Sequence, residues 1–117
     1  MPYVDGFVFA VQKDRIDEYE RIAREASALW MEHGALSVVE TVADDVAHGE
    51  LTSFPRAVQA TEDEIVVFSW ITYESRESRD EVNKKVIADP RMPGDTSEMP
   101  FDGKRAIRGG FRPLVGL

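Results

Sequence analysis

MPFDGKR, residues Met99 to Arg105, gathers an aromatic ring, an Asp-Gly turn and two adjacent cations in a chain of formal charge -8. A fixed guanidinium at Arg105, beside a pocket, would bind a carboxylate or phosphate through paired N–H bonds. The competing role is structural: Phe101 anchors the segment, Asp102-Gly103 turns it, and Lys104, Arg105 and Arg108 pair with acids such as Glu40, Asp44 or Asp102. The abundance of acids favours that structural role. Trp70 and Asn83 form a second candidate: an indole facing the second helix and an amide among Val82, Val86 and Ile87 could line a pocket between helix and sheet. His33 has the chemistry of a general base, although an imidazole in a last helical turn also complements the helix dipole. Asp44, Asp45, His48 and Glu50 offer metal-type ligands within seven residues, but their order matches no defined metal loop and reads as a solvated acidic turn. No metal site is expected. The chain has no cysteine, no glycine-rich phosphate motif and no serine nucleophile elbow.

These residues sit in a chain of one-domain length, 117 residues, with 43% hydrophobic and 31% charged side chains. Zero cysteines fit a reducing, cytoplasmic setting. Asp5 interrupts the apolar start and no basic segment precedes it, so no signal peptide is expected, and no apolar run is long enough to span a bilayer. Residues 1–90 hold nine Lys/Arg against nineteen Asp/Glu, whereas residues 91–117 hold five against three. The acidic body disfavours nucleic acid as a partner. The basic tail can complement that body within the chain or across a dimer.

The elements that must position the candidates follow from periodicity. Tyr3 to Val11 reads as a strand. Ile16, Tyr19, Ile22, Ala23, Ala26, Leu29 and Trp30 fall on one face of a helix, capped by Asp14 and closed by His33-Gly34, with Asp17–Arg21 and Glu20–Arg24 pairs outside. Ala35 to Val42 is a second strand, Leu51 to Thr61 is irregular with room for a short edge strand, and Glu64 to Tyr73 is the clearest strand. Ser75 or Ser78 opens a second helix that stops at Asp89-Pro90. A long connection from Asp89 to Lys104 then reaches a last strand, Arg105 to Phe111, in which Gly109-Gly110 marks a bulge or a close backbone approach. The order β-α-β-β-α-β predicts a single α+β domain over residues 1–117, a ferredoxin-like antiparallel sheet with two helices on one face.

Both faces of that sheet are apolar. Ile65, Val67 and Ile71 point one way and Val66, Phe68 and Trp70 the other; Tyr3, Phe7, Phe9 and Val11 oppose Val4, Val8 and Ala10. Two helices cover one face, so the other calls for a second copy of the sheet and predicts a homodimer.

DGFVFAV, ETVADDV, EIVVFSWITY, DPRM and MPFDGKR…GGF, in that order, closely resemble the YbaA-like family of uncharacterised bacterial proteins over essentially the whole chain. The resemblance implies the dimeric α+β-barrel superfamily, in which two ferredoxin-like protomers close one barrel. That superfamily includes cofactor-free monooxygenases, haem-degrading enzymes and non-catalytic ligand binders, and its oxygenases use Asn and Trp pairs to hold aromatic substrates. Haem is disfavoured, since the second helix, Ser75 to Ala88, contains no histidine for an axial ligand. The expectation is a cytoplasmic homodimer that binds a small organic ligand between sheet and helices without a cofactor. Trp70, Asn83, Arg105 and His33 are its candidate contacts. Its alternatives are a cofactor-free monooxygenase or related small oxidoreductase acting on an aromatic or polyketide-like compound, and a purely structural dimer.

Overall fold

EIVVFSWITY is dense in β-branched and aromatic side chains, and it forms a central strand paired on both edges. The computed structural model describes residues 1–92 and 99–116. Its elements are β1 (Tyr3–Gln12), α1 (Ile16–Glu32), β2 (Ser37–Val42), α2 (Phe54–Ala57), β3 (Glu64–Tyr73), α3 (Arg76–Ala88) and β4 (Ile107–Phe111). The sheet order is β2-β3-β1-β4, with every pair antiparallel. That is the α+β, ferredoxin-like plan expected from the sequence. The middle of the long connection, Pro93 included, lies outside the described residues. No helix among the described residues is long and apolar enough to cross a membrane.

Local chemistry shifts several boundaries. A 3-10 turn, Lys13–Arg15, leads into α1, and no side chain caps the helix, so Asp14 does not take the capping role expected of it. Arg15 instead braces the first turn through Glu18, at 2.8 and 3.1 Å. Arg21 turns to Glu25, not to Asp17. Gly34 ends α1 with φ 120°, a conformation closed to side-chain-bearing residues, and sends Ala35 back to the Trp30 carbonyl. Ser75, not Ser78, caps α3 by accepting the Ser78 N–H at 3.0 Å. In the β2–β3 connection a short helix, α2, replaces the expected edge strand. Pro55 fits its first turn, and Ser53 accepts the Arg56 N–H.

The helices cover the sheet face that carries Val67 and Ile71, not the one that carries Trp70. Phe9, Val11 and Val67 pack with Tyr19 and Ala23 of α1, and Ile71 and Tyr73 pack with Val82 and Val86 of α3. The opposite face is covered in part by the chain itself: Val58, 1% exposed, seals Ala10 and Val66 beneath the β2–β3 connection. Phe54 of α2 then meets Phe68 edge to face, with ring centres 5.7 Å apart. Beyond that cover Phe68 remains 42% exposed and Ile107 47%.

Candidate functional site

Arg105 sits in the turn before β4, where Asp102 O accepts its backbone N–H. Its guanidinium is fully engaged on one side. Nη1 and Nη2 donate to the two Glu64 oxygens at 2.9 and 2.7 Å, Nε donates to Asp102 at 3.1 Å, and Nη1 donates also to the Gln59 carbonyl at 2.8 Å. The Arg105 bonds pull the Glu64 carboxyl down to about 2, helped by the Thr61 N–H and against the cost of its burial. The Lys104 N–H and then Arg105 likewise hold Asp102 low. Of the acids expected to pair with this segment, Asp102 does so. The principal one, Glu64, stands at the start of β3, forty-one residues away in sequence, where spacing gives no hint of it.

Trp70 and Asn83 are not brought together, which corrects the placement expected of them. Trp70 pairs with Gly6 and Val39 on the sheet face away from α1 and α3, and its ring lies 5.5 Å from that of Phe68. The period-2 alternation decides this, because Ile71 and Tyr73 already take the helix side. The indole that meets Asn83 is Trp30, from α1. Asn83 Oδ1 accepts from Trp30 Nε1 at 3.1 Å and from the Tyr73 hydroxyl at 3.2 Å. Burial, with the Asp5 carboxylate close by, pushes the Tyr73 hydroxyl well above its ordinary range. Asp5, buried in β1, accepts from Arg79 Nη1 at 2.6 Å, and the Arg79 guanidinium stacks 5.0 Å over the Tyr3 ring. Gly110 permits this approach, because a Cβ there would lie 2.7 Å from Arg79 Nη1. The double glycine therefore marks a close approach, one of the two roles read from the sequence.

His33 Nε2 lies 2.8 Å from Asp89 Oδ2 and ties the end of α1 to the end of α3. Arg91 donates to the same carboxylate and reaches Glu32 as well. Its hydrogen bonds, followed by that of His33, hold Asp89 far below the usual carboxylate range. Glu32, His33 and Asp89 bring three metal-type ligand atoms within 4.8 Å of one another, and the Arg91 guanidinium bridging both carboxylates supplies positive charge there. Asp44, Asp45, His48 and Glu50 lie exposed in the turn after β2, where Arg56 braces the chain by donating to the His48 and Gly49 carbonyls.

Two features have no obvious signal in the sequence. Tyr19 donates to Glu40 at 2.8 Å across the α1–β2 boundary; desolvation pushes the Glu40 carboxyl up, opposed by hydrogen bonds from Tyr19 and Ser69. Along α1 runs an open cleft of about 690 Å³, with Ile22, Ala26, Leu29, Met92 and Met99 as apolar lining and Arg21 and Arg91 among its charged residues. The helical period does place Ile22, Ala26 and Leu29 on one strip of α1. The two methionines come from the connection after α3, and only the tertiary fold brings them there.

Solved structures share this architecture at low sequence identity. A NIPSNAP family protein of unknown function from Agrobacterium tumefaciens aligns with a TM-score of 0.57 and 12% identity, over 96% of this chain and 87% of that one. An uncharacterized NIPSNAP domain protein from Burkholderia xenovorans aligns with 0.55 and 12%, over 96% and 94%. In sequence, the uncharacterized protein YbaA of Escherichia coli K12 is 52% identical over 115 residues, 98% of each chain, and YbaA of Shigella flexneri matches equally well. The profile of the protein family of unknown function DUF1428 matches residues 2–103. With that match over most of its length, the chain belongs to the DUF1428 family, alongside YbaA.

Proposed function

We propose that the chain works as a cytoplasmic homodimer that binds a small organic molecule. The observation that carries the reading is the half-exposed apolar face of the sheet, where Phe68, Trp70, Ile107 and Phe111 extend past the cover supplied by Val58 and α2. A face of this composition is stable in water only when something covers it, and a second copy is the simplest cover. For the ligand, the supporting feature is the cleft along α1, an apolar floor with charged groups at hand. Tyr73, Val82 and Val86 are buried together beside Trp30 and Asn83.

Sedimentation equilibrium at low micromolar concentration is the test of assembly. Twice the chain mass is expected, with a folded monomer for Phe68→Glu; a folded monomer for the unaltered chain would overturn the reading. Native mass spectrometry of the purified protein tests the ligand. A co-purifying mass of a few hundred daltons is expected, displaced in Ala26→Phe, whose ring fills the cleft. A bare protein mass in both would remove the cleft from consideration.

A further inference from the structure

We infer, resting on the cleft as the ligand site, that it takes an uncharged apolar molecule carrying a carbonyl oxygen, and that Arg91 recognises that oxygen. Ile22, Ala26 and Leu29 supply the apolar lining from α1, and Met92 and Met99 supply it from the connection after α3. Glu18 and Leu29, the first and last α1 residues of the lining, are eleven positions apart, so the strip is about 16 Å long. A strip of that length suits an extended chain, and unbranched thioether side chains adapt readily to one. Arg91 marks one end of the cleft, since it also reaches Glu32 in the last turn of α1.

The charges along the cleft decide what such a molecule can carry. Glu18 is bonded to Arg15, and Arg21 lies 3.7 Å from Glu25, so these charges are matched within the protein. Arg91 uses Nε and Nη2 to donate to Asp89 and Glu32. Its Nη1 has no acceptor among the described residues, and the side chain is 58% exposed. Asp89 is itself held in place: only 6% of its side chain is exposed, and His33 Nε2 lies 2.8 Å from Oδ2. The guanidinium is therefore oriented while two of its N–H groups stay available. By formal count two carboxylates and one guanidinium leave this cluster at -1, and a protonated His33 brings it only to neutrality. A carboxylate or phosphate head finds no net positive charge there, and the C-terminal end of α1 disfavours an anion further. An ammonium head offers Nη1 no acceptor. A ketone, ester or amide oxygen accepts from Nη1 and adds no charge.

Nuclear magnetic resonance titrations of the full-length chain with 2-octanone and with octanoate, at neutral pH, test this. 2-Octanone is expected to shift the amide signals of Ile22, Ala26 and Leu29 and the Arg91 side-chain N–H signal, with octanoate binding at least about tenfold more weakly. Glu32→Gln keeps an acceptor for Nη2 and removes one negative charge, so it should tighten octanoate binding and leave 2-octanone unchanged. Arg91→Met, checked for folding by circular dichroism, is expected to weaken 2-octanone about fivefold. Equal binding of the two probes at the α1 signals overturns the carbonyl assignment and leaves the cleft standing. Octanoate affinity unmoved in Glu32→Gln, or 2-octanone affinity unmoved in Arg91→Met, overturns it too. If neither probe shifts those signals, the cleft is not the ligand site and the assignment falls with it.

Discussion

Arg105 makes hydrogen bonds to Glu64, Asp102 and the Gln59 carbonyl from one guanidinium, and truncating it leaves a largely buried Glu64 carboxylate unpaired. Arg105→Gln is expected to cost about 1–3 kcal/mol of stability, read as a lowered midpoint in urea unfolding. Carboxylate additives should not change the loss, whereas an anion site would show the reverse pattern, an unchanged midpoint and lost ligand stabilisation. The pair also fixes a pH dependence. Glu64 has its folded pKa lowered to about 2, so its stabilising contribution is present above the unfolded value of about 4.3. It is lost as pH falls from there through the folded pKa. Unfolding followed from pH 6 down to 2 should show that loss in the unaltered chain and a flatter profile in Arg105→Gln. Asn83 is the second residue whose removal strands partners. Asn83→Ala leaves the Trp30 indole N–H and the Tyr73 hydroxyl without their shared acceptor, and a loss of about 1–3 kcal/mol is expected, seen as a lowered thermal midpoint. Asn83→Asp, which keeps an acceptor oxygen, separates lost bonding from lost packing.

At the scale of elements, β4 is held against α3 by a contact that leaves no room for a side chain. Gly110→Ala would drive a methyl group into the Tyr3 hydroxyl and Arg79, loosening the Asp5–Arg79 pair. The expected cost is about 1–3 kcal/mol, with faster amide exchange in β4 than in β3 as the local signature. Periodicity carries far at this level. Alternation within EIVVFSWITY and the 3.6-residue spacing in α1 gave both sheet faces and the α1 stripe, because each reports directly on which side of an element is dry. It left Trp70 misplaced because alternation separates Trp70 from Ile71 and Tyr73 without saying which of two apolar faces the helices cover. Glu64 was invisible as the partner of Arg105 for a related reason. Ion-pair partners are chosen by where strands end in space, which composition does not encode. The edge strand expected near Pro55 became a helical turn because Ser53 and Pro55 form a good helix start.

For the whole molecule, the measurable consequence of association is a melting temperature that depends on concentration. If the apolar sheet face is covered by a second copy, raising protein concentration a hundredfold should raise the thermal midpoint by mass action, on the order of a few degrees for a domain of this size. Phe68→Glu should remove that dependence; a midpoint independent of concentration in the unaltered chain would count against association. The proposed association is compatible with a net charge of -8 for the chain. Apolar burial acts at contact, while the spread-out acidic charge is screened within about one Debye length.

Strand order has a consequence for synthesis. β1, the first strand made, is flanked by β3 on one edge and by β4 on the other, and β4 begins only at Ile107. A nascent chain can close the β1–β3–β2 sheet as soon as Tyr73 has emerged, yet one edge of β1 stays bare until β4 is available. During that interval the apolar strand YVDGFVFAVQ offers an unpaired ladder to any passing chain. Translational pauses or truncations before residue 107 should therefore yield aggregates or chaperone-bound material, where a chain reaching Phe111 gives folded protein.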